Sequence, residues 1–302
     1  MRSTASVLVG TSSFADRNLV ATGRFYPPAL PAAQRLAYYA SQFPVVEIDS
    51  SYYALPAPSA AHGWASRSPD GFTINVKAFR AFTGHQTPLS ALPAELRAEL
   101  PAEQQVTFMN RMPGDVRDEL WRRFQLALEP LRLSGRLGTV LFQFPAWIQA
   151  NAAGEALVRY SASRLEACVP AVEFRHRSWF ADAARTERTL GLVRDLGAVH
   201  VVVDQPAGFE DAVPAVWAAT HDEYAMLRLH GRNAAGWRRG AGGSSERFDY
   251  VYSPDELAEL ARQAQQLARL ARRTHVVFNT NREDQGVVNA RAFEQALAEL
   301  AR

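Results

Sequence analysis

Polar residues spaced two apart close a series of short apolar runs, and those pairs are where this sequence could do chemistry. Glu47 and Asp49 end VVEIDS (45–50), Asn75 and Lys77 end FTINVK (72–77), and Glu173 and Arg175 end AVEFR (171–175). Arg228 and His230 end YAMLRLH (224–230), and Leu141 and Gln143 share a parity in TVLFQ (139–143). Asp204 closes VHVVVD (199–204), and Asn279 closes HVVFN (275–279) with Asn281 just beyond. Side chains alternate along a strand, so each pair shares one face while Val46, Ile48, Val172, Phe174, Leu227 and Leu229 take the other.

Three chemistries suit these residue types. Arg175 and Arg228 could clamp a phosphate or carboxylate, with Glu173 or Glu47 as base and His230 or His176 moving a proton. His176 has the opposite parity to Arg175, which places it in a loop or pointing outward. In the second, Lys77 attacks a carbonyl as a free amine. Only Lys77 among the 33 basic residues is a lysine, and only lysine has an ammonium whose pKa can be drawn toward neutrality. Against this, Glu47 and Asp49 on the neighbouring run are expected to hold Lys77 charged. In the third, Glu47, Glu173, Asp204 and His230 bind a divalent metal. No HxH or HExxH spacing supports it, and three cations compete for the same oxygens. The expectation is a metal-independent site with no cofactor, and a divalent metal is the alternative. An internal ion-pair network is the plain structural explanation of the same residues. Burying so much charge without use would cost several kcal/mol, on the order of the unpaired-charge penalty, so a pocket is favoured.

Other residues weigh less. Thr11 and Ser12 follow the first run and could offer hydroxyls to a ligand, and no GxSxG elbow surrounds Ser12 or Ser13. Tyr52 and Tyr53 could wall a pocket or fill a core. Trp179 could do either, and Cys168 reads as packing.

Eight apolar runs, near 7–11, 45–50, 72–77, 139–143, 171–175, 199–204, 224–230 and 275–279, are mostly followed by helical patterns. Ser253-Pro254-Asp255-Glu256 is a capping box with proline at the first helical position. Leu257, Leu260, Ala261, Ala264, Leu267 and Ala271 follow it on one face. Asn289 is read as the cap of a last helix with Phe293, Leu297 and Leu300 on its apolar face. Helices are also expected at 31–43, 57–68, 115–133, 151–167 and 185–197, and 205–220 is left without one. Eight β-then-α units in 302 residues point to one α/β domain, a (β/α)8 TIM-type barrel over 1–302, whose strand ends converge on a single mouth. An open doubly wound sheet is the runner-up, weakened by the lack of a glycine-rich fingerprint after the first strand. Residues 78–114 read as a long polar insertion after strand three, and 231–249 as a Gly/Arg-rich loop. Both would stand over the C-terminal face as lids, or, for the second, as a surface loop.

A net charge of +2 with arginines spread along the chain argues against an extended nucleic-acid surface. A non-catalytic protein that binds nucleic acid, through Arg232, Arg238, Arg239, Arg247, Trp237 and Tyr250, or a small anion is the minority reading, behind an enzyme acting on a small anionic molecule. No apolar stretch has the ~20 residues a membrane helix needs, and the amino-terminal apolar run is too short for a secretory signal. With one cysteine and no disulfide framework, a cytoplasmic protein is expected.

Along nearly its whole length the chain resembles the YecE-like family, known as domain of unknown function 72. GTSSF (10–14), FYP (25–27), YYASQFPVVEIDSSYYALP (38–56), FTINVKAFR (72–80) and LGTVLFQFP (137–145) carry the resemblance. VEFRHRSW (172–179), YAMLRLHGRN (224–233) and VFNTN (277–281) continue it. The resemblance implies a TIM-type barrel with these polar residues around one cavity, and it implies no reaction. Asp49 and Ser51 stand where family members often read asparagine and threonine, and the first-loop tryptophan is absent. Together these readings give a barrel hydrolase, lyase or isomerase acting on a small anionic, phosphorylated or sugar-like substrate.

Overall fold

The computed structural model describes residues 6–101, 103–239 and 244–302. The amino-terminal residues 1–5, residue 102 and part of the 231–249 loop (240–243) lie outside the described residues, as do the side chains of Arg239, Ser244 and Ser245.

Eight strands form the barrel: β1 (Ser6–Thr11), β2 (Val45–Ile48), β3 (Thr73–Lys77), β4 (Leu137–Gln143), β5 (Val169–Glu173), β6 (Val199–Asp204), β7 (Tyr224–Leu229) and β8 (Arg273–Phe278). All neighbours pair in parallel, and β1 pairs both β2 and β8, which closes the sheet into a barrel. β-branched residues dominate these runs because a parallel sheet covered by helices is apolar on both faces. Leu141, Ala171, Val199, Val201, Met226 and Val277 point inward and form their own cluster. The outward residues, among them Val46, Ile48, Val172, Leu227 and Leu229, join the larger core under the helices.

The β1–β2 seam depends on a missing side chain. Gly10 faces Val45 across it, and a Cβ there would stand 1.9 Å from Val45 O. Gly10→Ala is therefore expected to pry the seam and lower stability by about 1–3 kcal/mol, the usual overpacking cost, seen as a fall in melting temperature. An unchanged melting curve would mean the barrel tolerates opening there.

The helices hold the strand ends in place. Asn151 and Asp182 cap Ala152–Ser163 and Ala183–Asp195 through their side chains. The expected Ser253–Glu256 capping box is present on Pro254–Ala268. The last helix departs from expectation. It spans Gln285–Leu300 and begins before Asn289. Asn289 is buried inside it, where its Nδ2 donates to Tyr250 O and Thr280 Oγ1, both at 3.0 Å. Leu300 is exposed, and Phe293 carries the packing instead.

The insertion is less polar than its composition. It contains short helical turns, the helix Ala94–Ala98, and an antiparallel pair between Thr87–Pro88 and Val106–Thr107. Leu89, Leu92, Leu96, Leu100, Met109 and Met112 are all buried, so it is pinned to the body by a row of apolar anchors. Residues 205–223 contain no helix or strand. Among the described residues, no helix is long and apolar enough to cross a membrane.

Candidate active site at the barrel mouth

The inward residues at the C-terminal strand ends form one buried network. Arg228 donates from Nε to Glu47 Oε2 at 3.0 Å and from Nη2 to Glu47 Oε1 at 2.7 Å, and its Nη1 donates to Glu173 Oε2. Glu173 Oε1 accepts from Gln143 Nε2 at 2.7 Å, Arg175 Nη1 at 3.1 Å and His230 Nε2 at 3.0 Å. His230 Nδ1 then accepts from Asn279 Nδ2 at 2.9 Å, which fixes the neutral tautomer with its proton on Nε2. Glu47, Glu173, Arg228 and His230 are each 0–1 % exposed.

The pairing decides what these groups can do. Burial alone would raise the Glu173 carboxyl, but the Arg228 guanidinium, with His230 and Arg175, holds it well below the usual carboxylate range. Burial, reinforced by the Arg175 and Arg228 charges, outweighs the pull of Glu173 and lowers His230 to about 3. A carboxylate so stabilised is a weak base, and a histidine that stays neutral cannot supply a proton near neutrality. Arg228, 1 % exposed and enclosed by two carboxylates, is closed off from a ligand. Glu173, His230 and Arg228 are therefore placed to hold the site, against the expectation of a base, a proton carrier and a clamp, and Glu47 is fixed beside them by its two bonds from Arg228.

Two neighbours are differently placed. Lys77 donates to Gln143 Oε1 at 2.9 Å, and its Nζ stands 4.7 Å over the Tyr52 ring. Among the described residues it has no salt-bridge partner, because Arg228 has taken Glu47. Burial and the Arg228 charge lower Lys77 to about 8, against the opposing pull of Glu47, Glu173 and Asp49. Asp49 is half-buried and makes no hydrogen bond through its carboxyl among the described residues. Burial raises it to about 6, although Lys77 draws it down. Ser51 Oγ, 2.5 Å from Lys77 O and 2.9 Å from Ile48 O, ties the two strand ends together.

Beyond them the mouth opens into a cleft lined by His85, Gln143, Trp147, Arg175, Asp211, Arg247 and Phe248. Arg175 spends one nitrogen on Glu173 and lies 5.1 Å from the Trp237 ring. Trp147 is 59 % exposed, yet its Nε1 is held by Gly84 O at 3.1 Å. His85 packs edge-on between Tyr52 and Trp147 and is lowered to about 3 by burial and by Lys77 and Arg80. Sequence reasoning missed His85 and Trp147, because both lie on loops without periodicity.

Several expected residues stand elsewhere. Thr11 turns outward into a narrow cleft that it lines with Ser12 and Asp49, its Oγ1 bonded to Tyr39 OH at 2.8 Å and to Ser13 O at 2.9 Å. Asp204 also turns outward and accepts from Arg232 Nη2 at 2.8 Å and Tyr252 OH at 2.7 Å. His176 caps a short helical turn, accepting from Ser178 N at 3.1 Å. Trp179 is core, stacked on Phe174 at 4.1 Å. Much of the basic 231–249 stretch is paired within the chain. Arg232 meets Asp204 and Glu256, and Asp211 binds Arg247 and accepts from Trp237 Nε1 at 2.8 Å. Among the described residues, no three His, Cys, Asp or Glu side chains are grouped so that they could hold a metal ion.

Comparison with known proteins agrees with this barrel. The UPF0759 protein YunF of Bacillus subtilis (strain 168) is 31 % identical over 278 residues, covering 91 % of this chain and 89 % of YunF. A DUF72 family protein of Thermotoga maritima MSB8 superposes with a TM-score of 0.75 at 28 % identity, covering 97 % of this chain and 99 % of that one. One from Enterococcus faecalis V583 gives 0.78 at 23 % identity, with 97 % and 96 % covered, and speaks to the fold alone. The family model described as "Protein of unknown function DUF72" matches residues 8–302, and the chain belongs to that family.

Proposed function

We propose that the protein is a metal-independent barrel enzyme, a hydrolase, lyase or isomerase, acting by proton transfer on a small anionic substrate at the C-terminal mouth. The observation that carries this is the contrast between a locked ion network and two groups beside it, Asp49 and Lys77. Burial draws these toward neutrality from opposite sides, to about 6 and about 8. Groups poised near the working pH exchange protons most effectively. Asp49 serves as the acid–base group, and Lys77 with Arg175 holds the anion. Because many family members are expected to carry asparagine at the Asp49 position, the assignment is made for this chain.

Thermal unfolding with hexose monophosphates, carboxylates, divalent metals and short oligonucleotides tests the reading. A ligand at 100 times its dissociation constant adds about 2.7 kcal/mol. A phosphorylated or carboxylated small molecule is expected to stabilise the wild type and to lose that effect in Arg175→Met and Lys77→Met. Stabilisation by metals or oligonucleotides alone would overturn it.

The unpaired, lowered Lys77 also favours a second reading, in which its neutral amine adds to a substrate carbonyl and water leaves. Borohydride reduction of such an adduct would add the substrate mass to the wild type and not to Lys77→Met. No added mass with any carbonyl compound that binds would eliminate it.

A further inference from the structure

Trp147, on the loop after β4, lines two clefts at once. One is the cleft of Arg175, of about 390 Å³. The other, of about 490 Å³, lies against the insertion and is lined by Phe108, Met109, Ile148 and Leu157. Its polar members, Asn110 and Arg111, are both exposed, so its inner surface is apolar. Either volume suits a small organic ligand. The indole between them is 59 % exposed, yet it is fixed. Its Nε1 donates to Gly84 O at 3.1 Å, and its ring meets His85 edge-on at 5.5 Å. Gly84 has φ +77°, and a Cβ there would stand 2.9 Å from Leu157 Cδ2. The turn that pins the indole therefore also packs against the apolar cleft. Among the described residues no ring stacks on Trp147, which leaves a flat apolar surface for one that arrives with a ligand.

The Arg175 cleft is cationic. Arg175 and Arg247 lie 5.1 and 3.7 Å from the Trp237 ring. Arg247 Nε is buried without a hydrogen bond among the described residues, a donor that a ligand oxygen would satisfy. Asp211, the one carboxylate lining this cleft, is taken by Arg247 and Trp237 Nε1. Guanidinium forks of this kind match phosphate oxygens. Next to them, the apolar cleft disfavours a sugar, whose hydroxyls would lose water there without gaining partners. We propose that the anion bound at Arg175 and Arg247 is the phosphate of an aryl phosphate, whose ring stacks on Trp147 and reaches into the apolar cleft. The proposal rests on the small-anion reading above and adds the substrate class and its orientation.

Calorimetric titration of inorganic phosphate, glucose monophosphate, adenosine monophosphate and naphthyl phosphate into wild type, Trp147→Ala, Trp147→Tyr and Arg175→Met tests it. Naphthyl phosphate should bind wild type tenfold or more tighter than phosphate or glucose monophosphate, the worth of burying about 60 Å² of apolar surface. Trp147→Ala, a change at an exposed loop position, should erase that margin and leave phosphate affinity unchanged. Trp147→Tyr, which keeps a flat ring, should retain most of it. Arg175→Met should weaken every ligand. If the ligands bind wild type and depend on Arg175 while naphthyl phosphate has no margin, or keeps it in Trp147→Ala, the aryl subsite is wrong and the anion site stands. Tighter binding of adenosine monophosphate than of naphthyl phosphate would likewise replace the apolar ring by a hydrogen-bonded base. If no ligand binds wild type, or Arg175→Met changes nothing, the small-anion reading fails for phosphates and the aryl subsite fails with it.

Discussion

Arg228→Met is expected to lower unfolding stability at pH 7 by about 3–5 kcal/mol, the typical cost of removing one partner from a buried ion pair. Methionine fills much of the same space, so the loss is electrostatic. Glu47 and Glu173, both 0 % exposed, would lose the guanidinium that binds them both. Glu173 is depressed in the folded protein, so its pairing contributes stability above the ordinary carboxylate range and loses it as pH falls toward the folded value. Without Arg228 the carboxyl can take up a proton, so the gap between variant and wild type should narrow as pH falls from 7 toward 4.5. Glu47→Gln and Glu173→Gln, combined with Arg228→Met, should restore most of the loss. Urea titrations at several pH values measure all three effects. A pH-independent gap, or no recovery in the triple variant, would show that Arg228 acts through packing.

The period-two pattern explains why the barrel and the membership of its inner network were legible from residue types. Glu47, Lys77, Gln143, Glu173, Arg228 and Asn279 share the inward face because strand alternation leaves no other choice once the apolar residues take the helix side. Asp204 and Thr11 share the outward parity of Val202 and Val9, which pack under the helices. They are the last residues of β6 and β1. Both turn outward to Tyr252 and Tyr39, partners far along the chain that no local rule identifies. Nor could spacing show which cation each carboxylate would take. Arg228 won both, through a planar fork that fits two acids at once. That outcome left Lys77 without an ion-pair partner among the described residues and drawn down to about 8, although Glu47 and Asp49 still pull it toward the charged form. Asn289 was misread for a related reason. Its type suits a helix cap, but its side chain was needed inside, to satisfy the backbone at Tyr250 and Tyr252.

The locked network and the titratable pair have opposite energetics, and Asp49→Asn separates them. In wild type the folded Asp49 carboxyl is raised from 3.8 to about 6, so its charged form is costly in the folded state. That cost is present in full above pH 6 and vanishes below the unfolded value. Asparagine has the same shape and no charge. The variant should therefore be more stable than wild type by up to about 3 kcal/mol above pH 6, as the size of the shift implies, and the two should converge near pH 4. Catalysis should move the other way. With a substrate in hand, kcat/KM is expected to fall by about 10²–10⁴, the contribution of a positioned acid–base group. The wild-type acid limb near pH 6 should disappear, while a fall at alkaline pH, set by Lys77 near 8, should remain. Gain of stability with loss of turnover is the signature of a group kept for chemistry at the expense of the fold. If Asp49→Asn is no more stable than wild type at pH 8, the carboxyl is paired in solution. If it keeps both turnover and the acid limb, proton transfer belongs to another group, and Lys77 becomes the first to test.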